Sequence, residues 1–239
     1  MPSAPKWVFD IIERLFTSKL PLMEVVDIAF LSPEVKKIRF KTDFSGLTFK
    51  TGDYMDFRVS DTDVRRYTIS YVDIENGMLE FIVHLHGKAI GSQYMGNLKI
   101  GDKININQPR GHKCYDESAG KYVIFGDETS LAIACSLFTV LKQNQHSFQF
   151  YFELDEANKN VPRLLGLENC TVFSKNKLFR NEEWIKDLPL FKTEEWKTAN
   201  FVLTGNVKSV QIFKKVLKNS GVTGKIFSQG YWLEGKRGL

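Results

Sequence analysis

The sequence predicts an N-terminal antiparallel β-barrel followed by a C-terminal α/β domain built on a parallel sheet. Two observations predict this division. From about residue 22 to residue 107, short β-rich runs are separated by Gly, Asp and Asn, which is the pattern of a small antiparallel barrel. From residue 122 onwards, strand-like runs alternate with helical segments, which is typical of a parallel sheet covered by helices. The predicted domains are a helix in residues 1–20, the barrel in residues 21–116 and the α/β domain in residues 117–239.

The chain begins with apolar residues at helical spacing, which predict an amphipathic helix over residues 4–17. This helix would either pack on its own barrel or contact a second copy of the chain, and the sequence leaves the oligomeric state open. The barrel strands are predicted at Val25–Phe30, Val35–Thr42, Tyr54–Val59, Thr68–Val72, Met78–Leu85 and Lys103–Asn107.

The second half predicts strands and helices in turn. Its strands are predicted at Tyr122–Phe125, Ser147–Leu154, Cys170–Phe173, Phe201–Thr204 and Gly224–Ser228. Its helices are predicted at Ser130–Gln143, Asn181–Asp187 and Val207–Asn219. Apart from the helix at 181–187, the charged and aromatic residues 178–197 are not placed in the fold by their pattern.

Composition is that of a globular protein and excludes several functional classes. Of the 239 residues, 43% are hydrophobic, which is enough for packed cores. Apolar runs stay short of the roughly 20 residues that a membrane span needs, and the first residues lack a secretory signal. Cys114, Cys135 and Cys170 cannot all pair and lack metal-ligand spacing, so reduced thiols and a cytoplasmic location are expected. Basic residues are not interleaved with aromatic ones, so no nucleic-acid partner is expected.

Residues 65–68, Arg-Arg-Tyr-Thr, carry the most specific local signal of the barrel. On a strand, Arg65 and Tyr67 face the same side and Thr68 faces the other. A guanidinium suits a diphosphate, an aromatic face suits a flat ring, and a hydroxyl can bond a ring nitrogen. These are the needs of a flavin dinucleotide, although the same residues also occur on ordinary exposed strands.

A second candidate segment runs from the strand that ends near His84 into a glycine-bearing loop and a short helix, predicted to start near Ser92. Free amides at a helix start bind phosphate, and Gly91 allows close approach. Ser92 fits an ordinary N-cap equally well. His84 and His86 share one face of the strand, but no third ligand accompanies them, so no metal site is expected.

The carboxyl ends of the predicted parallel strands supply the third candidate site, because ligands bind there in open α/β sheets. Gly126 permits a sharp turn, and Thr129 would either bond a nicotinamide ribose or phosphate or cap the following helix. Asp127 and Glu128 would repel phosphate, so they are expected to face the ribose, the solvent or the helix dipole. Gly205 ends a later strand and would line the same cleft.

The charges near these strand ends conflict over the type of dinucleotide. The acidic run at residues 153–156 suits a ribose diol, whereas Lys175, Lys177 and Arg180 suit a 2′-phosphate. The sequence therefore leaves NADH and NADPH as alternatives.

Several of these motifs together resemble a known family. The residues at 65–68, 91–92 and 101–111 look like the flavin domain of the ferredoxin-reductase superfamily. The segment Tyr122–Ala132, with Gly-Asp-Glu-Thr, and the ending at 230–235, Gly-Tyr-Trp-Leu-Glu-Gly, resemble siderophore-interacting proteins. That family consists of FAD-dependent ferric-siderophore reductases, and the resemblance covers roughly residues 25 to 235.

The resemblance implies FAD as cofactor, NAD(P)H as electron donor and a ferric siderophore or other iron chelate as substrate, with no catalytic side chain and no metal site. The cofactor-binding residues it implies, with those reasoned above, are Arg65, Tyr67, Thr68, His86, Gly87, Gly91, Ser92, Gly126, Thr129, Gly205 and Trp232. Basic residues expected near the substrate are Arg110, Lys113, Lys236 and Arg237. Two alternatives stay open: a reductase of a protein carrier such as ferredoxin or flavodoxin, and a non-catalytic flavin- or ligand-binding module.

Overall fold

A computed structural model describes residues 4–16, 22–105, 107–111 and 113–236 of the chain. The chain divides into two compact units, the first ending at residue 112 and the second beginning at residue 113. Among the described residues, no helix is both long enough and apolar enough to cross a membrane.

The first unit is an antiparallel sheet whose described part has seven strands, with one helix before it and one within it. The helices are α1 (Lys6–Phe16) and α2 (Ile90–Asn97); the strands are β1 (Leu22–Ser32), β2 (Val35–Lys41), β3 (Asp53–Arg58), β4 (Val64–Asp73), β5 (Met78–His84), β6 (Lys103–Asn105) and β7 (Arg110–Gly111). Their order across the sheet is β6-β1-β2-β5-β4-β3-β7.

The predicted start of the strand that carries the Arg-Arg-Tyr-Thr segment is wrong. Strand β4 does not open at Thr68 but at Val64, so the Arg-Arg-Tyr-Thr segment lies inside a strand. The reason is its pairing with β3, in which Arg58 is opposite Val64 and Tyr54 is opposite Thr68. The alternation of side chains is therefore regular along the whole segment.

An aromatic cluster forms the centre of the first unit. Phe40, Phe57 and Phe81 are fully buried, and the rings of Phe57 and Phe81 meet edge to face at 5.2 Å. Helix α2 covers this core with Met95. The buried Lys36 ammonium donates hydrogen bonds of 2.9 Å to three carbonyls at the end of α2. Because the last carbonyls of a helix have no partner within it, Lys36 fixes where α2 ends.

The second unit is a five-stranded parallel sheet with helices, counted over its described residues. Its strands are β8 (Lys121–Gly126), β9 (Ser147–Leu154), β10 (Cys170–Ser174), β11 (Asn200–Asn206) and β12 (Ile226–Trp232), in the order β10-β9-β8-β11-β12. Its helices are α3 (Leu131–Gln143), α4 (Val161–Leu164), α5 (Glu182–Lys186) and α6 (Val207–Asn219). The predicted combination of an antiparallel barrel with a parallel α/β domain is confirmed.

Two stretches of the second unit differ from the sequence prediction. Strand β12 begins and ends later than predicted, so that Trp232 is its last residue. Within residues 178–197, the helix predicted at 181–187 is α5, and the residues around it that the sequence left unplaced form short 3₁₀ turns at Leu178–Arg180 and Pro189–Phe191. Phe179, Ile185 and Leu190 from this stretch are buried in the core. Irregular turns give an apolar pattern with neither helical nor strand period, which explains why the sequence did not place them.

Candidate cofactor sites

In the first unit, the start of α2 lies against β4. A Cβ atom at Gly91 would stand 2.7 Å from the Tyr67 hydroxyl and 3.0 Å from the Cγ atom of Arg65. Real Cβ contacts are almost never that short, so only glycine fits between these two side chains. The structure thus brings together three residues that the sequence predicted for one cofactor.

Helix α2 starts earlier than predicted. Its first residue is Ile90 and its N-cap is Ala89, which makes no side-chain capping bond. The amide of Gln93 already donates to the carbonyl of Ala89 at 2.9 Å. Ser92 is therefore a buried residue of the first turn rather than the N-cap, and the amides before Gln93 have no partner within the helix.

Arg65 and Tyr67 differ in how firmly they are held. The Tyr67 ring meets Phe57 edge to face at 5.5 Å. Burial raises the pKa of Tyr67, so it remains a neutral phenol. Arg65 contacts Asp63 at 3.2 Å and donates to the Val64 carbonyl at 2.9 Å. A guanidinium has five N–H donors, so these two contacts leave capacity for a phosphate.

The opposite face of β4 carries a cluster that sequence reasoning missed. The guanidinium groups of Arg66 and Arg110 lie 5.1 Å and 5.8 Å from the Tyr54 ring centre, and both contact the buried Asp56 carboxylate. Thr68 shares this face because it pairs with Tyr54. The sequence analysis gave Arg66 no role in the motif. Strand alternation alone would have placed it beside Thr68.

His86 and Gly87 follow β5 in an exposed turn. The rings of His84 and His86 are 5.5 Å apart. Gly87 has a φ of +54° and open space where a Cβ would be, so its backbone conformation explains the glycine. The flavin contacts expected of both residues stay predictions.

In the second unit, a pocket of about 400 Å³ opens at the carboxyl ends of the strands. Residues from all five strand ends line it, including Gly126, Asp155, Lys175, Thr204, Asn206 and Trp232. This is the edge of a parallel sheet at which ligands bind in open α/β folds.

Asp127 links three of these strand ends. Its Oδ1 atom accepts from the Thr129 amide at 2.9 Å, and the Thr129 hydroxyl donates to the same oxygen. Its Oδ2 atom accepts from the Asn206 amide at 2.9 Å and from the Trp232 indole N–H at 2.7 Å. Burial raises the pKa of Asp127, and the hydrogen bonds from Thr129 and Trp232 oppose that effect. Asp127 is buried and caps the turn Glu128–Ser130 that leads into α3, which is the helix-start alternative of the prediction, and it also lines the pocket.

The glycines expected in this cleft are required by close packing. A Cβ at Gly205, where φ is +103°, would lie 2.5 Å from the Asp127 carboxylate. A Cβ at Gly126 would lie 2.2 Å from the Cβ of Ser130. Gly126 lines the pocket, whereas Gly205 and Thr129 lie behind it against Asp127. Their predicted contacts with a nicotinamide cofactor remain predictions.

Most of the charged residues expected to choose between NADH and NADPH, Lys177 excepted, are engaged within the protein. Lys175 contacts the buried Glu128 at 2.7 Å and Asp155 at 3.1 Å. Burial works to raise the pKa of Glu128, but the Asp155 amide and the Lys175 ammonium outweigh it and hold that pKa below its usual range. Glu153 accepts backbone amides, among them that of Leu178 at 2.6 Å.

Arg180 pairs with Glu234 at the rim of the pocket. Burial works to raise the pKa of Glu234, but the hydrogen bond from Arg180 overcomes this and brings the pKa to about 2. Lys177 is exposed beside them. These charges leave both dinucleotides possible.

Thr204 is a pocket residue that the sequence analysis did not single out. It is 7% exposed, and among the described residues its hydroxyl has no hydrogen-bond partner. A Cβ at Gly126 would stand 3.4 Å from this hydroxyl. A buried hydroxyl without a partner is costly, so it is a candidate to bond a ligand. The available signal was a hydroxyl at the end of the apolar run Phe201–Leu203.

The expected substrate-binding residues are distributed over both units. Arg110 belongs to the first unit, where Asp56 offsets part of its charge. Lys113 and Lys236 are exposed residues of the second unit. Arg237 lies outside the described residues.

The fold is ferredoxin-reductase-like, and its first unit contains an FAD-binding oxidoreductase domain. Residues 22–115 match the oxidoreductase FAD-binding domain family. This match assigns the first unit and confirms the prediction of FAD as cofactor.

The particular proteins that resemble the chain include siderophore-interacting proteins. The structure from Acinetobacter baumannii is 20% identical with a TM-score of 0.71, over 91% of this chain and 92% of that one. The structure of SipS from Aeromonas hydrophila is 19% identical with a TM-score of 0.73, over 91% and 93%. The resemblance stated from the sequence motifs is confirmed, and at these identities the likeness establishes a shared fold.

A curated relative is mouse NADH-cytochrome b5 reductase 3, which is 26% identical over 153 residues. The match covers 53% of this chain and 50% of that protein, so the chain spans about half the length of this relative.

Proposed function

We propose that this chain is an FAD-dependent NAD(P)H oxidoreductase that reduces ferric siderophores and so releases Fe(II). The observation that carries the proposal is the FAD-binding domain match over residues 22–115. In the same chain, a parallel sheet has a polar pocket at its carboxyl edge, where a nicotinamide dinucleotide is expected to bind. Balance requires one NAD(P)H to reduce two Fe(III) to two Fe(II), yielding NAD(P)⁺ and a proton.

The residues of the first unit fit FAD. Gly91 leaves room beside Arg65 and Tyr67, Arg65 retains N–H donors for a diphosphate, and the first amides of α2 face the same region. When bound, FAD would accept a hydride and pass on single electrons, which a nicotinamide cannot do. The protein's part is to bind and orient the cofactor, and we assign no catalytic acid or base.

The pocket of the second unit fits the electron donor. Its floor offers the Thr204 hydroxyl, and its wall offers the Trp232 ring. Arg110, Lys113, Lys236 and Arg237 are the residues we propose to attract an anionic iron chelate. Opposite charges raise encounter rates, and salt screens exposed charges beyond a Debye length of about 8 Å at physiological ionic strength.

The test begins with the visible absorption spectrum of the purified protein, in which bound flavin is expected. NADH and NADPH are then each supplied with a ferric siderophore or with a neutral quinone at two ionic strengths. Reduction of the ferric chelate should fall as salt rises, while the quinone should respond weakly. Equal salt dependence for both acceptors would rule out the basic residues as a substrate guide. A preparation that neither contains nor binds flavin would favour the non-catalytic module.

A second candidate is a reductase of a protein electron carrier. The similarity to NADH-cytochrome b5 reductase 3 favours it, because that relative is named for a protein acceptor. Ferredoxin, flavodoxin and cytochrome b5 should therefore be compared with the ferric chelate at equal flavin concentration. Faster turnover with a protein acceptor would replace the siderophore proposal with this one.

A further inference from the structure

The second unit contains a buried carboxylate whose hydrogen bonds converge on the wall of its pocket. Asp127 is 6% exposed, and no ion pair holds it among the described residues. It receives its donors instead from Thr129, Asn206 and Trp232. A carboxylate bonded in this way is rigid, because a side chain that moves loses several charge-assisted bonds at once.

Trp232 depends on this carboxylate for its orientation. It is the last residue of β12, it is partly exposed, and its ring lines the pocket. The Lys175 ammonium lies 5.7 Å from the ring centre. An indole has only one polar hydrogen, so the 2.7 Å bond to Asp127 is its single directional polar contact. The bond therefore decides which way the ring plane faces.

The backbone at Gly205 leaves the space that the bond between Asp127 and Trp232 needs. Gly205 has no Cβ, which would otherwise lie 2.5 Å from the Asp127 carboxylate. Any larger residue there would push the carboxylate away from the Trp232 indole. Asp127 and Trp232 are 105 residues apart in the sequence. Their bond joins the ends of β8 and β12, between which β11 lies in the sheet.

We infer that Asp127 is a positioning residue that holds the Trp232 indole as a fixed aromatic wall for the electron donor in this pocket. The inference rests on the proposed function, in which NAD(P)H binds there. A flat ring held in place can contact a nicotinamide or adenine ring without losing conformational freedom on binding. Asp127 also lines the pocket, but both of its carboxylate oxygens already accept hydrogen bonds from the protein, so it acts through Trp232.

The test is a double-mutant cycle with Asp127→Asn and Trp232→Phe in the FAD-loaded protein. Asparagine keeps the shape but turns one acceptor into a donor, and phenylalanine keeps a ring but lacks the N–H. Each single variant should raise the KM for NAD(P)H by about tenfold, within the range for loss of a charge-assisted hydrogen bond. The kcat should change little, and reduction of the flavin by dithionite should be unaffected. In the Trp232→Phe background, Asp127→Asn should have little further effect on KM.

Trp196→Phe is the matched control, because it removes another indole of the same unit that does not line this pocket, and it should leave KM unchanged. Multiplication of the two effects on KM would overturn the inference, since Asp127 would then act without Trp232. A KM unchanged in both single variants would overturn it as well.

A second measurement separates failure of this inference from failure of the proposed function. Subtracting the fluorescence of Trp232→Phe from that of the parent protein gives the emission of Trp232 itself. Asp127→Asn should shift this emission and lower its anisotropy even if no pyridine nucleotide reduces the flavin. An unchanged Trp232 signal would show that Asp127 does not position the ring, whatever the reaction is.

Discussion

Substituting Gly91 with alanine tests the proposed FAD site with the smallest possible change. The new Cβ would lie 2.7 Å from the Tyr67 hydroxyl, about 0.7 Å closer than an ordinary contact of 3.4 Å. Tyr67 cannot retreat freely, because its ring rests edge to face on the buried Phe57. The start of α2 must therefore move, and it displaces the Arg65 side chain, whose Cγ would be 3.0 Å from the new atom.

The expected effect separates cofactor affinity from folding. A charge-assisted contact to phosphate contributes about 1.5–3 kcal/mol, so Arg65→Ala should weaken FAD binding by roughly 10- to 150-fold. Gly91→Ala only displaces that contact and should weaken binding by about tenfold. Alanine favours a helix over glycine by about 0.8–1 kcal/mol, which offsets part of the strain. The thermal midpoint should therefore change little.

The assay is titration of FAD into the apoprotein, followed by quenching of flavin fluorescence. Gly96→Ala is the control, since it lies in the same helix and its Cβ would meet only the Leu85 Cδ2 atom, at 3.9 Å. If Gly91→Ala binds FAD within twofold of Gly96→Ala, α2 does not form the cofactor site.

Three further predictions concern other positions. Thr204→Val should raise the free energy of unfolding by about 1 kcal/mol, because it removes a buried hydroxyl that has no partner among the described residues. The same substitution should weaken NAD(P)H binding. A loss of stability would show that the hydroxyl is satisfied. Lys36→Met should lower the free energy of unfolding by about 2–4 kcal/mol in urea titrations, because three carbonyls at the end of α2 lose their buried donor; an effect below about 0.5 kcal/mol would contradict this. Glu234→Gln should destabilise the protein slightly at pH 7, because the Glu234 pKa is depressed to about 2 in the folded state and its stabilisation is therefore present above the unfolded pKa. The thermal midpoint of Glu234→Gln should therefore approach that of the parent as pH falls from about 4.5 to 2. If the two midpoints still differ at pH 2, the pair with Arg180 is not the cause of the difference.

Local pattern predicted most of the secondary structure and its assembly into sheets. Strand β9 and helix α6 lie where the sequence put them, because their apolar residues have the period of a strand and of a helix. Apart from the helix predicted at 181–187, residues 178–197 escaped prediction because their aromatic side chains pack from short irregular turns. The start of β4 escaped it because pairing with β3, rather than residue type, sets where that strand begins.

The site residues that the sequence predicted have a local signal, and those that it missed depend on contacts between distant parts of the chain. Arg65, Tyr67 and Gly91 were predicted together, since a motif on one strand and a glycine at a helix start each carry a local signal. Asp127 was not predicted as a contact of Trp232, because a hydrogen bond between residues 105 positions apart leaves no mark on local composition.

The acidic residues of the second unit show why composition misjudges the charge of a site. From the sequence, Asp127 and Glu128 would repel a phosphate that they faced, and the acidic run at residues 153–156 would suit a ribose diol. In the structure, Asp127 accepts hydrogen bonds from converging N–H and O–H donors, and Glu128 is paired with the Lys175 ammonium. Glu153 is engaged by backbone amides and Glu234 by Arg180. A carboxylate whose oxygens already accept such donors projects a weaker field into the pocket than an unpaired one. These acidic side chains therefore stabilise the strand ends. Lys177 is exposed at the pocket, and among the described residues no internal ion pair offsets its charge.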